Sequence, residues 1–171
     1  MELGNYRKNF RRVPVKLFYL DENDSIKEET LDVKYKPITQ AWLDENERIQ
    51  EKILQKTKEG LELARAADET QALVVKLRSE AIYSGSIELE EAEVKSQEAA
   101  AKVEAYLAEA KEMAKRLLAE HLSPILIDLD ITNKGKKVEP TVEFLATCDL
   151  EFLQDIAETV KKRTFRAQTK D

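Results

Sequence analysis

At 171 residues, with 36% charged and only 6% aromatic side chains and four Gly and four Pro, the chain suits one domain with room for an extended appendage, built from long solvated helices more than from a compact sheet. A net charge of -6 argues against a nucleic-acid binder, which needs a basic surface to neutralise phosphates, and a single cysteine excludes an intramolecular disulfide. No apolar run approaches the roughly 18 residues of a membrane span, and the polar N-terminus lacks the apolar core of a secretory signal, so the expectation is a soluble protein of a reducing, intracellular compartment.

Local basic clusters stand at both ends, Arg7, Lys8, Arg11 and Arg12 at the start and Lys161, Lys162, Arg163 and Arg166 near the finish. They read as solvated termini. Val13 to Tyr19 alternates at period two through Val13, Val15, Leu17 and Tyr19, and Leu31, Val33 and Tyr35 share one face of a second candidate strand. With the turn cluster Asp21-Glu22-Asn23-Asp24 between them, these predict a β-hairpin over 13–36. Two strands alone are barely stable in water, so the hairpin must pack on helices or pair with a strand from another chain.

From Thr39 the period becomes helical, and a long helical region is expected over 39–122. Thr39 is a natural N-cap, with Asp44 and Glu45 near the positive helix end. Trp42, Ile49, Ile53 and Leu54 continue an apolar face to about Glu59, and Gly60 is a candidate interruption. The dense block Leu73, Val74, Val75 and Leu77 predicts burial on more than one face. Ser84-Gly85-Ser86 marks a break, with Ser86 as the next N-cap. Beyond it Ala92, Ser96, Ala99, Val103, Tyr106, Ala110, Met113 and Leu117 recur at spacings of four and three. That is a heptad-like seam of mostly small residues, too poor in Leu and Ile for a strong autonomous coiled coil but suited to close antiparallel packing. Two helices folded at Gly85 is the simplest picture, and one interrupted rod the alternative.

Pro124 disfavours helix in the residue before it, so the helix should end by Ser123. Ile125 to Ile131 alternates as ILIDLDI, which periodicity alone leaves as a strand or a short buried turn. Asn133 to Lys137 reads as a basic turn with Gly135 at its tip. Thr141 and Asp149 are caps for two final helices, to about Ala146 and about Lys162, within a C-terminal segment 123–163. A loose tail is expected over 164–171. The fold class is therefore mostly α (α+β): an N-terminal β-hairpin, long helices forming a helical hairpin, and a short C-terminal helical segment.

Chemistry is sparse. His121 is the sole histidine and Cys148 the sole thiol. A nucleophile and base need only be close in space, but Cys148 sits between two amphipathic segments where a small apolar residue would serve. One Cys and one His cannot form a zinc cluster. Asp128 and Asp130, or the acids of 21–24, lack the spacing of a calcium loop. Lys134-Gly135-Lys136 is no phosphate loop. The reading is non-enzymatic, with no cofactor and no metal. What remains is surface: apolar helix seams and a strand edge.

Several linked blocks then carry a resemblance. Leu117 to Ile131 reads LLAEHLSPILIDLDI, Asn133 to Lys137 forms a Gly-Lys turn, Val138 to Leu145 reads VEPTVEFL, and Leu150 to Val160 reads LEFLQDIAETV. The N-terminal block VKLFYLDENDSIKEETLDVKYKPIT leads through Pro-Ile-Thr into the first helix. Their order, over about half the chain, resembles the tail assembly chaperone family of long-tailed (siphovirus-type) bacteriophages. The middle, roughly 56–112, carries no aligned motif.

The resemblance implies a helper acting in the host cytoplasm. It would bind the long, sticky tape measure protein before the tail tube closes around it, and bring tail tube subunits to the growing tail. The partner-binding residues expected are Trp42, Ile49 and Ile53 on the first helix, Val103, Tyr106 and Met113 on the seam, and Phe144, Phe152 and Ile156 at the C-terminal end. The seam also suits a homo-oligomer. A family habit is a frameshifted longer product, for which the Lys161-Lys162 codons are a candidate slippery site. A virion scaffold or adaptor is the first alternative. A small acidic helical inhibitor of a host system is the second, and the alternation of acids and bases through Glu45 to Lys58 and Glu88 to Lys115 argues against a nucleic-acid mimic.

Overall fold

The computed structural model describes residues 11–20, 26–80, 87–133 and 136–168. The chain is mostly helical, with an N-terminal antiparallel β-hairpin, two long helices and a short C-terminal helical segment. Strands β1 (Arg11–Leu20) and β2 (Ile26–Tyr35) pair in register, Val13 opposite Val33 and Val15 opposite Leu31. The turn cluster 21–24 lies outside the described residues, as do Ser84-Gly85-Ser86 and the Lys134-Gly135 tip. Helices α1 (Gln40–Glu80) and α2 (Ile87–Leu122) follow, then β3 (Leu126–Asp128), β4 (Thr132–Asn133), β5 (Lys136–Lys137), α3 (Val142–Thr147) and α4 (Leu150–Gln168).

The chain divides into two compact units, where its length suggests a single domain. The first comprises 1–49 and 113–171, and the second Gln50–Glu112. In the first, β3 joins the hairpin as a third strand in the order β1-β2-β3. The ILIDLDI stretch is thus a strand at its start: Lys34 pairs with Asp128 and Tyr35 with Leu126, and the Lys36 amide donates to the Ile125 carbonyl at 2.8 Å. This resolves the marginal stability of a lone hairpin. Pro14, which has no N–H to offer a ladder, is tolerated because β1 is an edge strand.

The alternation read in the hairpin places Val13, Val15, Val33 and Tyr35 inward, each no more than 1% exposed. Leu43, Leu118, Leu122, Leu129, Leu145, Leu153 and Val160 complete that core. Thr39 caps α1 through the Trp42 amide at 3.3 Å, and Thr141 caps α3 through the Phe144 amide at 3.2 Å. Helix α4 extends past the expected end at Lys162: Thr164 is buried, its hydroxyl donating back to the Val160 carbonyl at 3.1 Å, so the apolar face Leu153, Ile156, Ala157 and Val160 continues for another turn. Asp130 adopts a left-handed backbone with φ of 52°. Its amide donates to Asp128 Oδ1 at 3.0 Å, and Lys137 pairs with the same carboxylate. Burial pushes the Asp128 carboxyl up, but the Lys137 and Asp130 bonds outweigh it and hold it below the ordinary range.

Gly60 does not interrupt α1, which runs unbroken for 41 residues. Among the described residues no helix is long and apolar enough to cross a membrane.

Candidate partner-binding surface

The second unit is an antiparallel pair of helix segments. Arg78 donates to Glu93 at 2.8 Å, Ser96 to Gln71 Oε1 at 2.7 Å, and the Tyr106 hydroxyl to Glu59 Oε2, so residue numbers fall on one helix as they rise on the other. The seam read from the sequence is the packed edge of α2: Ala92 and Ser96 are buried, and Ala99, Val103, Tyr106 and Ala110 are half-buried. On α1 Gly60 lies against Tyr106 and Leu107, and Ile53, Ala67 and Val74, placed at sevens from it, are half-buried or buried. Small residues dominate the α2 edge, and Gly60 and Ala67 stand on α1, which favours close helix approach.

One polar layer sits in that seam. Lys56 Nζ lies 2.8 Å from Glu59 Oε2 and 5.1 Å from the centroid of the Tyr106 ring. The Lys56 hydrogen bond, then that of Tyr106, lowers the Glu59 carboxyl to about 2, and the same pairing raises the Lys56 ammonium. The Tyr106 phenol is raised, by burial first and then by Glu59. Tyr106 is therefore engaged within the α1–α2 pair of the second unit itself.

The expected partner residues fall into two groups. Ile49 and Ile156 are 4% and 0% exposed and belong to the core of the first unit, so they offer no surface in this conformation. The amphipathic pattern that singled them out marks an apolar face but not what covers it. Trp42, Phe144, Phe152 and Met113 in the first unit, and Ile53, Val103 and Tyr106 in the second, are each half-buried. Trp42 stacks on His121 with ring centroids 4.3 Å apart.

Cys148 and His121 engage other groups. The thiol lies 3.7 Å from the Phe144 carbonyl, and burial, with Asp149 adding to it, pushes its pKa up, the reverse of an activated nucleophile. Among the described residues no three His, Cys, Asp or Glu side chains gather as a metal site. An open groove of about 480 Å³ in the first unit is lined by Ser123, Leu126, Ile127 and residues 139–143, with Glu139 and Glu143 its charged groups.

The surface that the sequence reading missed lies on the second unit. Leu54, Leu61, Leu73, Val75, Ile87, Val94 and Leu107 are each at least half exposed. The dense block expected to bury on several faces buries only Val74 fully; Leu73 and Val75, its neighbours, point outward. Leu54, Leu61 and Val75 stand seven and fourteen residues apart, with Asp68 at the intervening position, and Ile87 and Val94 stand seven apart. On α1 these positions flank the seam, whereas Ile87 and Val94 fall on the side of α2 away from Ala92, Ser96 and Ala99; the spacing is the signal that could have found these residues. No protein-family model, curated protein or solved structure matches the chain.

Proposed function

We propose that this chain is a non-enzymatic bacteriophage tail assembly chaperone that binds the tape measure protein, and delivers tail tube subunits to it, while the tail is being built. The observation that carries the reading beyond the motif resemblance is the set of exposed apolar positions on α1 in the second unit, Leu54, Leu61 and Val75 at 55%, 57% and 58% exposure. Isolated exposed leucines are ordinary, but a repeated set at helical spacing suits a helical client with apolar seams of its own. Such a client laid along these positions would add a third helix to the pair, masking its seam until the tube closes. The acidic excess keeps the loaded complex soluble.

The test is co-expression with the tape measure protein encoded in the same genome. The expected result is a soluble complex that co-purifies, and a Leu61→Lys, Val75→Lys double variant that folds but releases the client. Failure of the unaltered chain to retain either the tape measure protein or the tube protein overturns the reading.

A further inference from the structure

His121 is the sole histidine of the chain and Trp42 its sole tryptophan, and the fold sets them face to face. Their rings stack at 4.3 Å with an interplanar angle of 18°. The indole Nε1 donates to the backbone carbonyl of His121 at 3.2 Å. The contact ties the first turn of α1 to the last turn of α2 within the first unit.

Nε2 of His121 is buried and has no hydrogen-bond partner among the described residues. A neutral imidazole tolerates this, because one ring nitrogen of the neutral tautomer carries no proton. An imidazolium does not, because both nitrogens then carry protons and the one on Nε2 becomes a buried donor without an acceptor. The surrounding charges weigh in both directions. Burial disfavours the charged ring and lowers its pKa, while Glu45, one turn beyond Trp42 on α1, draws a proton toward it. The carboxylate next to it on α2, Glu120, is engaged by Arg116 at 3.0 Å. The ammonium of Lys36 sits on the Pro124 carbonyl at 2.7 Å, and from α4 Lys161 reaches Glu47 at 3.3 Å.

We propose that the Trp42–His121 stack is an acid-sensitive latch: a proton taken from solvent by His121 breaks the stack and frees the start of α1 from the end of α2. A ring kept neutral by the fold contributes fully above the ordinary histidine value of about 6.5, and its contribution is lost as the pH falls from there through the folded value. The inference rests on the packing of the first unit and is independent of the client proposed above.

The emission of Trp42 reports the latch directly. In the full chain, taken from about pH 8 to about pH 5 across the histidine range, the emission should shift to the red in a one-proton transition. NMR titration of the single imidazole should give the same midpoint, below about 6.5. A His121→Gln variant should lack the transition. Flat emission, the same transition in the variant, or an imidazole that titrates at or above its ordinary value overturns the latch. If the variant does not fold, the titration of the unaltered chain decides alone.

Discussion

Gly60 of α1 lies against Leu107 of α2: a Cβ built on the glycine falls 3.0 Å from the leucine Cδ2 and 3.5 Å from Cε1 of Tyr106. The glycine is a packing position in the seam. Leu107 is half exposed, so its flexible end can yield a few tenths of an ångström. Alanine gains about 1 kcal/mol of helix propensity over glycine. Gly60→Ala should therefore stabilise the chain by up to about 1 kcal/mol in chemical denaturation. Gly60→Leu must displace both neighbours and should cost about 1–3 kcal/mol. A destabilised alanine variant would mean that Leu107 cannot move.

The polar layer beside it sets an acid dependence. The Glu59 carboxyl is lowered from 4.5 to about 2 by Lys56 and then Tyr106. A carboxylate with a depressed folded pKa stabilises fully above its unfolded value and loses that contribution as pH falls through the folded one. The window is thus from 4.5 down to about 2. Glu59→Gln should flatten the acid-unfolding profile of the helices across that window, followed by circular dichroism, and Tyr106→Phe should narrow it. An unchanged profile in both variants would show that the layer is open to water.

At Asp130 the backbone has φ of 52°, a conformation that costs a side-chain-bearing residue about 1–2 kcal/mol. Aspartate tolerates it because a short polar side chain is compatible with the left-handed region, and the Asp128 carboxylate holds the local amide. Asp130→Gly should be neutral or stabilising by up to about 1 kcal/mol, and Asp130→Val destabilising by about 1–2 kcal/mol, in thermal or chemical unfolding. Equal stability of the two variants would contradict the left-handed assignment.

Ile156 and Leu61 separate core from surface. Ile156 is 0% exposed, so Ile156→Ala should cost about 2–5 kcal/mol. Leu61 is 57% exposed, so Leu61→Ser should change stability by less than about 0.5 kcal/mol. Denaturation midpoints of the two variants check this, and a large loss at Leu61 would place that residue in a packed contact.

Much of the fold is local and could be read along the chain. Thr39 and Thr141 act as caps because a hydroxyl reaches an amide three residues on, a relationship contained in the sequence itself. The hairpin strands follow from period-two alternation, and the α2 seam from Ala92 to Leu117 from heptad spacing. The end of α4 was less legible, since nothing local in Thr164 announces that it will be buried.

The candidate surface divides along the same line. The sequence determines, by the spacing of Leu54, Leu61 and Val75 on α1 and of Ala92, Ser96 and Ala99 on α2, which positions share one side of each long helix. It does not determine which side meets a neighbour. Tertiary structure decided that, placing Ile49 and Ile156 inside while Leu61 and Val94 stay outside. It also brought β3 to β2 and His121 onto Trp42. Periodicity records the direction in which a side chain leaves its own helix, whereas burial depends on what arrives from residues distant in sequence, and the separation of 79 positions from Trp42 to His121 leaves no mark in either local pattern.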